Sequence, residues 1–428
     1  MLLKSLCYIL MLILAGFWSI QSFSQNRSFP KGTKTVYIAK MRGVRSDLLR
    51  NIAPIVETSI SHSQYPGAVI LIGHKGRFIY RGVFGNRRID PNVAPMRFDT
   101  IFDLASLTKV VAITPAIMQL VEQGKMDIDQ PVATYWPQFA AQNKNAVTVR
   151  ELLTHTSGLP AEIPNQPKIS NVRDTLDRIA QLSLIHPAGT KFLYSDVNFI
   201  ILGHLVEIIS KEKINIYAKN HIFKPLKMNS TFYIPATSLR DRIAPTEMIE
   251  SKLRWGEVHD PLAHSLGGVA GNAGVFSDAM DLGRYAQSLL NGGQLPGTKR
   301  EKTASSSHFL GPLAITKMTT PQTPADLVEV RGLGWDIDSH YSNRGILFPI
   351  QSYGHTGWTG TSLWIDPITK TWIVILTSRT HPFPLKDNQV AQDRRSIANI
   401  VSASIIDVSN DHLHNTGKGE LDRAYKPL

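Results

Sequence analysis

The chain is organised around Phe102-Asp103-Leu104-Ala105-Ser106-Leu107-Thr108-Lys109, followed by an apolar run that ends at Gly124. This stretch predicts an extended segment that turns into a long helix, with Ser106 in its first turn and Lys109 one turn later. Side chains three residues apart share one helix face, so the Lys109 amine is expected to reach the Ser106 hydroxyl. A crowded lysine amine can hold or remove the proton of a serine, which is otherwise a poor nucleophile. The helix N-terminus would favour the negative charge that develops when serine attacks a carbonyl.

The S-x-x-K spacing alone is weak evidence, because it also occurs at residues 28–31 and 210–213. The first of these matches lies in a polar segment with Pro30 and Gly32, and the second is typical of the solvated end of a helix. For Ser106 the alternative is a helix cap without chemistry. The rest of the chain has to decide between the two interpretations.

Composition limits the class of protein. The 428 residues are 43% hydrophobic and 19% charged, which indicates one large or two ordinary domains with a real core. The formal charge of +12 suits an anionic cell envelope and carboxylate-bearing substrates. No nucleic-acid motif accompanies that charge, so no nucleic-acid partner is expected.

The N-terminal segment resembles a signal peptide over residues 1–24. An apolar run from residue 6 to 20 follows Lys4, and Ser22-Phe23-Ser24 then offers a small-x-small cleavage site. An uncleaved anchor is the alternative, although the run is shorter than the roughly 20 residues of a membrane span. Cleavage predicts a periplasmic or secreted protein without a transmembrane domain. It would also remove Cys7, the only cysteine, which excludes disulfides, cysteine zinc sites and cysteine catalysis.

The remaining chain predicts an α/β protein of the α+β type. Lys75-Gly76 joins two strand-like runs, residues 67–74 and 78–84, into a hairpin. The strand pattern returns only in the C-terminal part, at residues 332–336, 346–353, 362–366 and 372–378, before a final helix over 394–406. We therefore expect an antiparallel sheet flanked by helices, with a mainly helical region inserted between its two halves.

The predicted boundaries follow from this pattern: a linker at 25–45, a discontinuous sheet domain at 46–121 and 262–410, a helical domain at 122–261 and a polar tail at 411–428.

Two further stretches supply groups that a serine–lysine pair needs. Tyr194 lies in a loop before the apolar helix at residues 198–209, where beside Lys109 it could act as base towards Ser106 and acid towards the leaving group. An aromatic core anchor is the alternative. Gly354-His355-Thr356-Gly357-Trp358-Thr359-Gly360 places glycines at a strand edge, so backbone can approach a ligand and the Trp358 N–H can join that of Ser106 around an oxyanion. A hairpin turn is the alternative for the glycines.

Together the three stretches resemble the serine hydrolases that include class C β-lactamases, D-alanyl-D-alanine carboxypeptidases and related esterases. The motifs of that family, S-x-x-K, Y-x-N and K/H-T-G, correspond in order to Ser106 to Lys109, Tyr194 to Asp196 and His355 to Gly357. The resemblance spans roughly residues 66–378 and includes the loop 152–160 and residues 332–335. The segments 255–260, 267–271 and 353–360 look most like the penicillin-binding protein 4B subgroup, and the fold it implies is β-lactamase/transpeptidase-like.

The resemblance implies an acyl-enzyme mechanism with no metal and no cofactor. Its catalytic residues would be Ser106, Lys109 and Tyr194, with the backbone N–H groups of Ser106 and Trp358 as oxyanion donors. The substrate-binding residues would be Asp196, His355, Thr356 and Gly357.

Two departures from the family pattern bear on substrate. Asp196 stands where β-lactamases have an asparagine, and an ionised carboxylate only accepts hydrogen bonds. His355 replaces the lysine of K-T-G, and near neutral pH it can be uncharged. Both changes argue against efficient β-lactam hydrolysis.

The leading hypothesis is an exported serine hydrolase, D-alanyl-D-alanine carboxypeptidase-like on a peptidoglycan-type peptide or weakly β-lactamase-like. An esterase on the same scaffold and a penicillin-binding sensor that acylates without turnover are the alternatives. A metal hydrolase is disfavoured, because His412 and His414 lie in the polar tail and no H-E-x-x-H pattern occurs among the 14 histidines.

Overall fold

The computed structural model describes residues 29–164, 172–296, 307–384 and 389–408. The predicted signal peptide at 1–24 and the polar tail at 411–428 lie outside the described residues.

Among the described residues, one nine-stranded antiparallel sheet forms the centre of the molecule, in the order β1-β3-β2-β13-β12-β11-β10-β9 with β4 paired to β3. Its strands are β1 (Thr33–Ile38), β2 (Gly67–His74), β3 (Arg77–Arg88), β4 (Ala94–Pro95), β9 (Val330–Arg331), β10 (Asp336–Asp338), β11 (Tyr353–Thr356), β12 (Thr361–Asp366) and β13 (Thr371–Thr377). Two small ribbons pair β5 (Phe102–Asp103) with β8 (Phe276–Ser277) and β6 (Met248–Ile249) with β7 (Lys252–Leu253). The pairing of β2 with β13 joins the N-terminal hairpin to the C-terminal strands, so the predicted antiparallel sheet with an inserted helical region is confirmed.

The helices fall into two groups by the sheet face they cover. The helices are α1 (Ser46–Leu49), α2 (Ile52–Ser61), α3 (Thr114–Glu122), α4 (Val132–Tyr135), α5 (Val149–Leu153), α6 (Val172–Ala180), α7 (Asp196–Ser210), α8 (Ile214–Ala218), α9 (Pro261–Ser265), α10 (Ala279–Leu290), α11 (Pro312–Thr319) and α12 (Gln389–Ser404). One face of the sheet packs on α1, α2 and α12, and the other packs on the large helical region that contains α3, α7 and α10.

Alternation along the central strands explains how both faces are covered. On β2, Val69 and Leu71 belong to the larger hydrophobic cluster, whereas Ile70 and Ile72 belong to the cluster under α12. Successive side chains of a strand point to opposite faces. A strand that is apolar at every position is therefore buried on both sides, as β2 is along its whole length.

Three expectations about elements differ from the structure. The segment expected to be a linker contains β1, because Thr35, Val36, Tyr37 and Ile38 favour a strand although basic residues surround them. The run 332–336 is mostly the turn between β9 and β10, and the run expected as a strand at 346–353 enters the sheet only at Tyr353. Both runs are apolar, and an apolar run of this length does not by itself distinguish strand from packed loop.

The segment that carries Ser106 is less regular than the predicted helix. Ala105–Leu107 is a 3₁₀ turn and Lys109–Ile113 is a π-helical turn, and regular α-helix begins only with α3. Residues 105–122 are long and apolar enough to span a membrane, yet 83% of them are buried in the protein. This helix is therefore the central core helix, with Ser106 at its N-terminal end.

Candidate active site

Asp103 sets the backbone that leads into Ser106. Its carboxylate accepts hydrogen bonds from the backbone N–H of Ala105 at 2.8 Å and of His259 at 2.6 Å. Ala105 has φ +46°, a left-handed conformation that is uncommon for a residue with a side chain. Burial raises the pKa of Asp103, although both N–H groups oppose that shift. The buried carboxyl thus holds the turn before Ser106 and ties it to the segment that precedes α9.

Lys109 lies at the centre of the site and is completely buried. Its ammonium contacts three oxygens: Ser106 Oγ at 2.8 Å, the backbone carbonyl of Asn272 at 2.9 Å and Asp196 Oδ1 at 2.7 Å. The contact with Asp196 is an ion pair, and the side chain of Tyr194 also acts on this ammonium. Burial acts to lower the pKa of Lys109, but Asp196 and Tyr194 outweigh it and the pKa is raised. Lys109 is therefore held in its charged form.

Lys109 is linked to a second carboxyl group, that of Asp260, through Asn272. Asp260 Oδ1 caps α9 by accepting from Ala263 N at 2.7 Å, and it also accepts from Asn272 Nδ2 at 3.0 Å. Burial, followed by the charge of Asp196, raises the pKa of Asp260. The segment 255–260 thus supports the residue whose carbonyl binds Lys109.

Tyr194 reaches the same centre from the loop before α7. Its ring centroid lies 5.1 Å from Lys109 Nζ, and the residue is only partly buried. Ser195 caps α7, since its Oγ accepts from Asn198 N at 3.3 Å and donates to the carbonyl of Pro160 at 2.7 Å. The cap and the loop 154–160 together fix where the phenol enters the site.

The ribbon that carries residues 355–358 is fastened directly to the segment before Ser106. Thr359 Oγ1 donates to the carbonyl of Asp103 at 2.7 Å, and Thr361 Oγ1 donates to that of Leu104 at 3.0 Å. A Cβ added to Gly357 would lie 2.3 Å from the Leu104 carbonyl oxygen, so only glycine allows this approach. Trp358 follows with its side chain 60% exposed.

His355 lies on β11 with 4% of its surface exposed. Its Nδ1–H donates to the carbonyl of Thr356 at 2.9 Å, which leaves Nε2 as a buried acceptor without a partner among the described residues. Burial first, and then the charges of Arg331 and Lys109, hold the pKa of His355 well below its usual value. The imidazole is neutral, as the replacement of lysine by histidine suggested.

The structure thus brings Ser106, Lys109, Tyr194 and Asp196 to one centre, with the ribbon at 355–358 packed against the turn before Ser106. Within the parts of the chain that the structure describes, no group of three or more His, Cys, Asp or Glu side chains is placed to hold a metal ion.

Comparison with known proteins identifies the family. The model of the family described as Beta-lactamase matches residues 50–395, which is most of the chain. This chain belongs to the beta-lactamase family. As a member of that family it is a serine hydrolase, and the family resemblance drawn from the three motifs is confirmed.

Two curated relatives of this beta-lactamase family protein have the names of enzymes. An "N-acetylmuramyl-L-alanine amidase" of Bacillus subtilis is 32% identical over 371 residues, 78% of this chain and 81% of the relative. A "Putative D-alanyl-D-alanine carboxypeptidase" of Salmonella typhimurium is 34% identical over 315 residues, 66% of this chain and 70% of the relative.

Solved structures share the fold of this beta-lactamase family protein. A penicillin-binding protein homologue from Caulobacter crescentus has a TM-score of 0.67 at 20% identity and covers 86% of this chain and all of its own. EstCE1, a hydrolase with promiscuous acyltransferase activity, has a TM-score of 0.66 at 20% identity and covers 82% of this chain and 98% of its own. At this identity the likeness concerns the fold alone.

Sequence reasoning missed several residues of the site in this beta-lactamase family protein. Asp103 binds the backbone N–H groups of Ala105, two residues later, and of His259, 156 residues later, so no motif marks it. The carbonyl of Asn272 is backbone, which every residue has, and its role depends on where the chain folds. The loop 152–160 is part of the family resemblance, but its His155 belongs to none of the three motifs.

Proposed function

We propose that this protein is an exported hydrolase that forms an acyl-enzyme on Ser106, with a peptidoglycan-type peptide ending in D-Ala-D-Ala as substrate and β-lactams as weak substrates. The observation that carries the proposal is the contact of Ser106 Oγ with a buried, charged Lys109 at 2.8 Å. A serine that merely caps a helix would not need a fully buried lysine amine at its hydroxyl. The names of the two curated relatives support the choice of a cell-wall substrate, and the signal-like segment 1–24 supports export.

Lys109 and Tyr194 divide the work of activating Ser106. Since the ammonium of Lys109 already has its proton, it donates to Ser106 Oγ and stabilises negative charge there. Tyr194 is the proposed general base, which accepts the proton that leaves Ser106 as Oγ bonds to the substrate carbonyl carbon. The same phenol returns that proton to the leaving amine when the C–N bond breaks, and water later releases the acyl group from Ser106.

The backbone N–H groups of Ser106 and Trp358 are the proposed donors for the tetrahedral oxyanion. Their relative position depends on the contacts of Gly357, Thr359 and Thr361 with residues 103–104. A rigid pair of donors aimed at the developing charge commonly contributes about 100-fold or more to the rate. The close packing of this ribbon therefore supports a role in catalysis.

The test is detection of the covalent adduct by intact mass after incubation with a penicillin, a p-nitrophenyl ester or a D-Ala-D-Ala peptide. Wild-type protein is expected to gain the acyl mass, and Ser106→Ala is expected to gain none. Ser210→Ala is the matched control, because Ser210 also begins an S-x-x-K match, but among the described residues its Oγ donates to the carbonyls of Val206 and Glu212. Acylation of the Ser106→Ala protein would overturn the proposal.

An esterase on the same scaffold is the second candidate, and the neutral state of His355 favours it. Without a cation at this position, attraction for a substrate carboxylate is weaker, whereas an ester has no carboxylate to bind. His355→Lys is expected to increase acylation by a penicillin relative to the p-nitrophenyl ester, because a lysine can extend its amine towards the cleft. An unchanged ratio would remove the argument for this candidate.

A further inference from the structure

His155 contacts the chain on both sides of Tyr194. It lies in the loop after α5, is 1% exposed and has φ +58°. Its backbone carbonyl accepts from Leu193 N at 2.9 Å, and its ring Nδ1 accepts from Ser195 N at 3.0 Å. One residue thus binds the backbone immediately before and immediately after the phenol.

The imidazole of His155 also contacts the phenol ring itself. The two ring centroids are 4.4 Å apart with an interplanar angle of 30°. The ring of Phe199 lies 5.2 Å from the imidazole, and Lys109 Nζ lies 5.7 Å from that same phenylalanine ring. His155 and Lys109 therefore contact the same pair of aromatic rings, and a shift of the imidazole would move Tyr194 relative to the lysine.

The hydrogen bond from Ser195 fixes the protonation state of His155. Nδ1 must present a lone pair, so the single ring proton is on Nε2 and the imidazole is neutral. Burial lowers the pKa of His155 well below its usual value, and the charges of Arg331 on β9 and Lys109 before α3 act in the same direction. A proton on Nδ1 would point at the Ser195 N–H and break the contact.

We propose that His155 is a positioning residue for Tyr194, holding the phenol at the distance from Lys109 and Ser106 that proton transfer requires. This inference rests on the proposed function. The alternative is that His155 only braces its own loop. If His155 positions Tyr194, losing the Nδ1 acceptor slows acylation even in a protein that remains folded. If His155 only braces its loop, the loss changes stability and leaves the acylation rate of the folded protein unchanged.

Two substitutions separate the Nδ1 acceptor from the ring. His155→Asn places an amide oxygen near the position of Nδ1 and tolerates positive φ, so it keeps the bond to Ser195 and loses the ring contact. His155→Phe keeps an aromatic ring and leaves the Ser195 N–H buried without an acceptor. His204→Asn is the matched control, because His204 contacts Trp136 at 4.9 Å, away from Tyr194.

The measurement is the saturation kinetics of acylation by the best acylating compound, which gives the acylation rate constant and the binding constant separately, together with the unfolding midpoint. We expect His155→Phe to lower the acylation rate constant about 100-fold while binding changes little, since a small misplacement of a reacting group has that effect. His155→Asn is expected to recover acylation to within about tenfold of wild type, a partial loss of acid–base assistance. His204→Asn is expected to match wild type.

Equal rate constants in wild type and His155→Phe, or equal losses in the Phe and Asn variants, would overturn the inference. If the wild-type protein formed no adduct with any compound, the proposed function would fail instead. A crystal structure of His155→Phe would then decide the inference by itself: an unmoved Tyr194 overturns it, and a displaced phenol supports it.

Discussion

The ion pair between Lys109 and Asp196 makes the sharpest prediction. Coulomb's law at an effective dielectric constant of about 20 gives roughly 6 kcal/mol for unit charges at the observed 2.7 Å. The side chain of Asp196 is 24% exposed and that of Lys109 is fully buried, so solvent screens only one partner. Loss of one partner from a buried pair typically costs 3–5 kcal/mol, and with this screening we expect Asp196→Asn to lower the free energy of unfolding by about 3 kcal/mol at pH 7.

The pH dependence of this loss of stability follows from the direction in which the pKa of Lys109 is shifted. In the wild type the pKa of Lys109 is raised, so its stabilisation is complete below the unfolded lysine pKa and is lost as pH rises through the folded one. In Asp196→Asn the dominant remaining influence is burial, which lowers the lysine pKa. The variant therefore regains stability as pH rises from its lowered lysine pKa towards the unfolded one. The difference in the free energy of unfolding between wild type and Asp196→Asn should therefore decrease as pH rises.

Urea unfolding at several pH values from neutral to alkaline measures both effects. Asp47→Asn is the control, since Asp47 is an exposed carboxylate whose side chain is 67% accessible in a surface pair. Its stability should match wild type at every pH. A variant Asp196→Asn as stable as wild type at pH 7, or a gap that does not change with pH, would refute the idea that Lys109 is held charged by this carboxylate.

Three further predictions concern the surroundings of Ser106 and the buried histidines His155 and His355. Gly357→Ala should reduce the acylation rate about 100-fold, because its Cβ would lie 2.3 Å from the Leu104 carbonyl oxygen. This clash would push the ribbon that carries residues 355–358, and with it the Trp358 N–H, away from Ser106. An acylation rate within twofold of wild type would contradict this prediction. Asp103→Asn should lower the free energy of unfolding, measured with urea, by about 1–3 kcal/mol. The reason is that the amide oxygen can replace only one of the two carboxylate oxygens that accept from backbone N–H groups. An unchanged urea midpoint would contradict this prediction. His155 and His355 both have lowered pKa values, so the unfolded chain binds protons that the folded chain rejects. The free energy of unfolding should therefore fall as pH drops below 6.5, the ordinary pKa of histidine. It should fall less steeply in the variant in which both histidines are replaced by Gln. Urea unfolding at pH 5, 6 and 7 measures this difference.

The elements that were predicted best are those whose signals are local. The hairpin of β2 and β3 turns at Lys75 and Gly76, which both have positive φ, as a two-residue turn requires. β1 was missed because its strand pattern lies inside a basic segment, and strand formation there depends on a partner edge supplied by β3.

The active site also combines features that the local sequence encodes with features that depend on distant parts of the chain. The order and identity of Ser106, Lys109 and Tyr194 are properties of the sequence, and their side-chain chemistry limits what they can do. Whether Lys109 is charged depends on Asp196, on the carbonyl of Asn272 and on the exclusion of water, none of which a motif encodes.

The amino-acid sequence alone determined the family, the antiparallel hairpin and the residues of the three motifs, because these depend on residue type and short spacing. Only the tertiary structure decided that His355 is neutral with its proton on Nδ1 and that His155 binds the backbone on both sides of Tyr194. The physical reason is that hydrogen-bond partners and desolvation come from segments far apart in the chain, and a protonation state is set by those partners rather than by the residue itself.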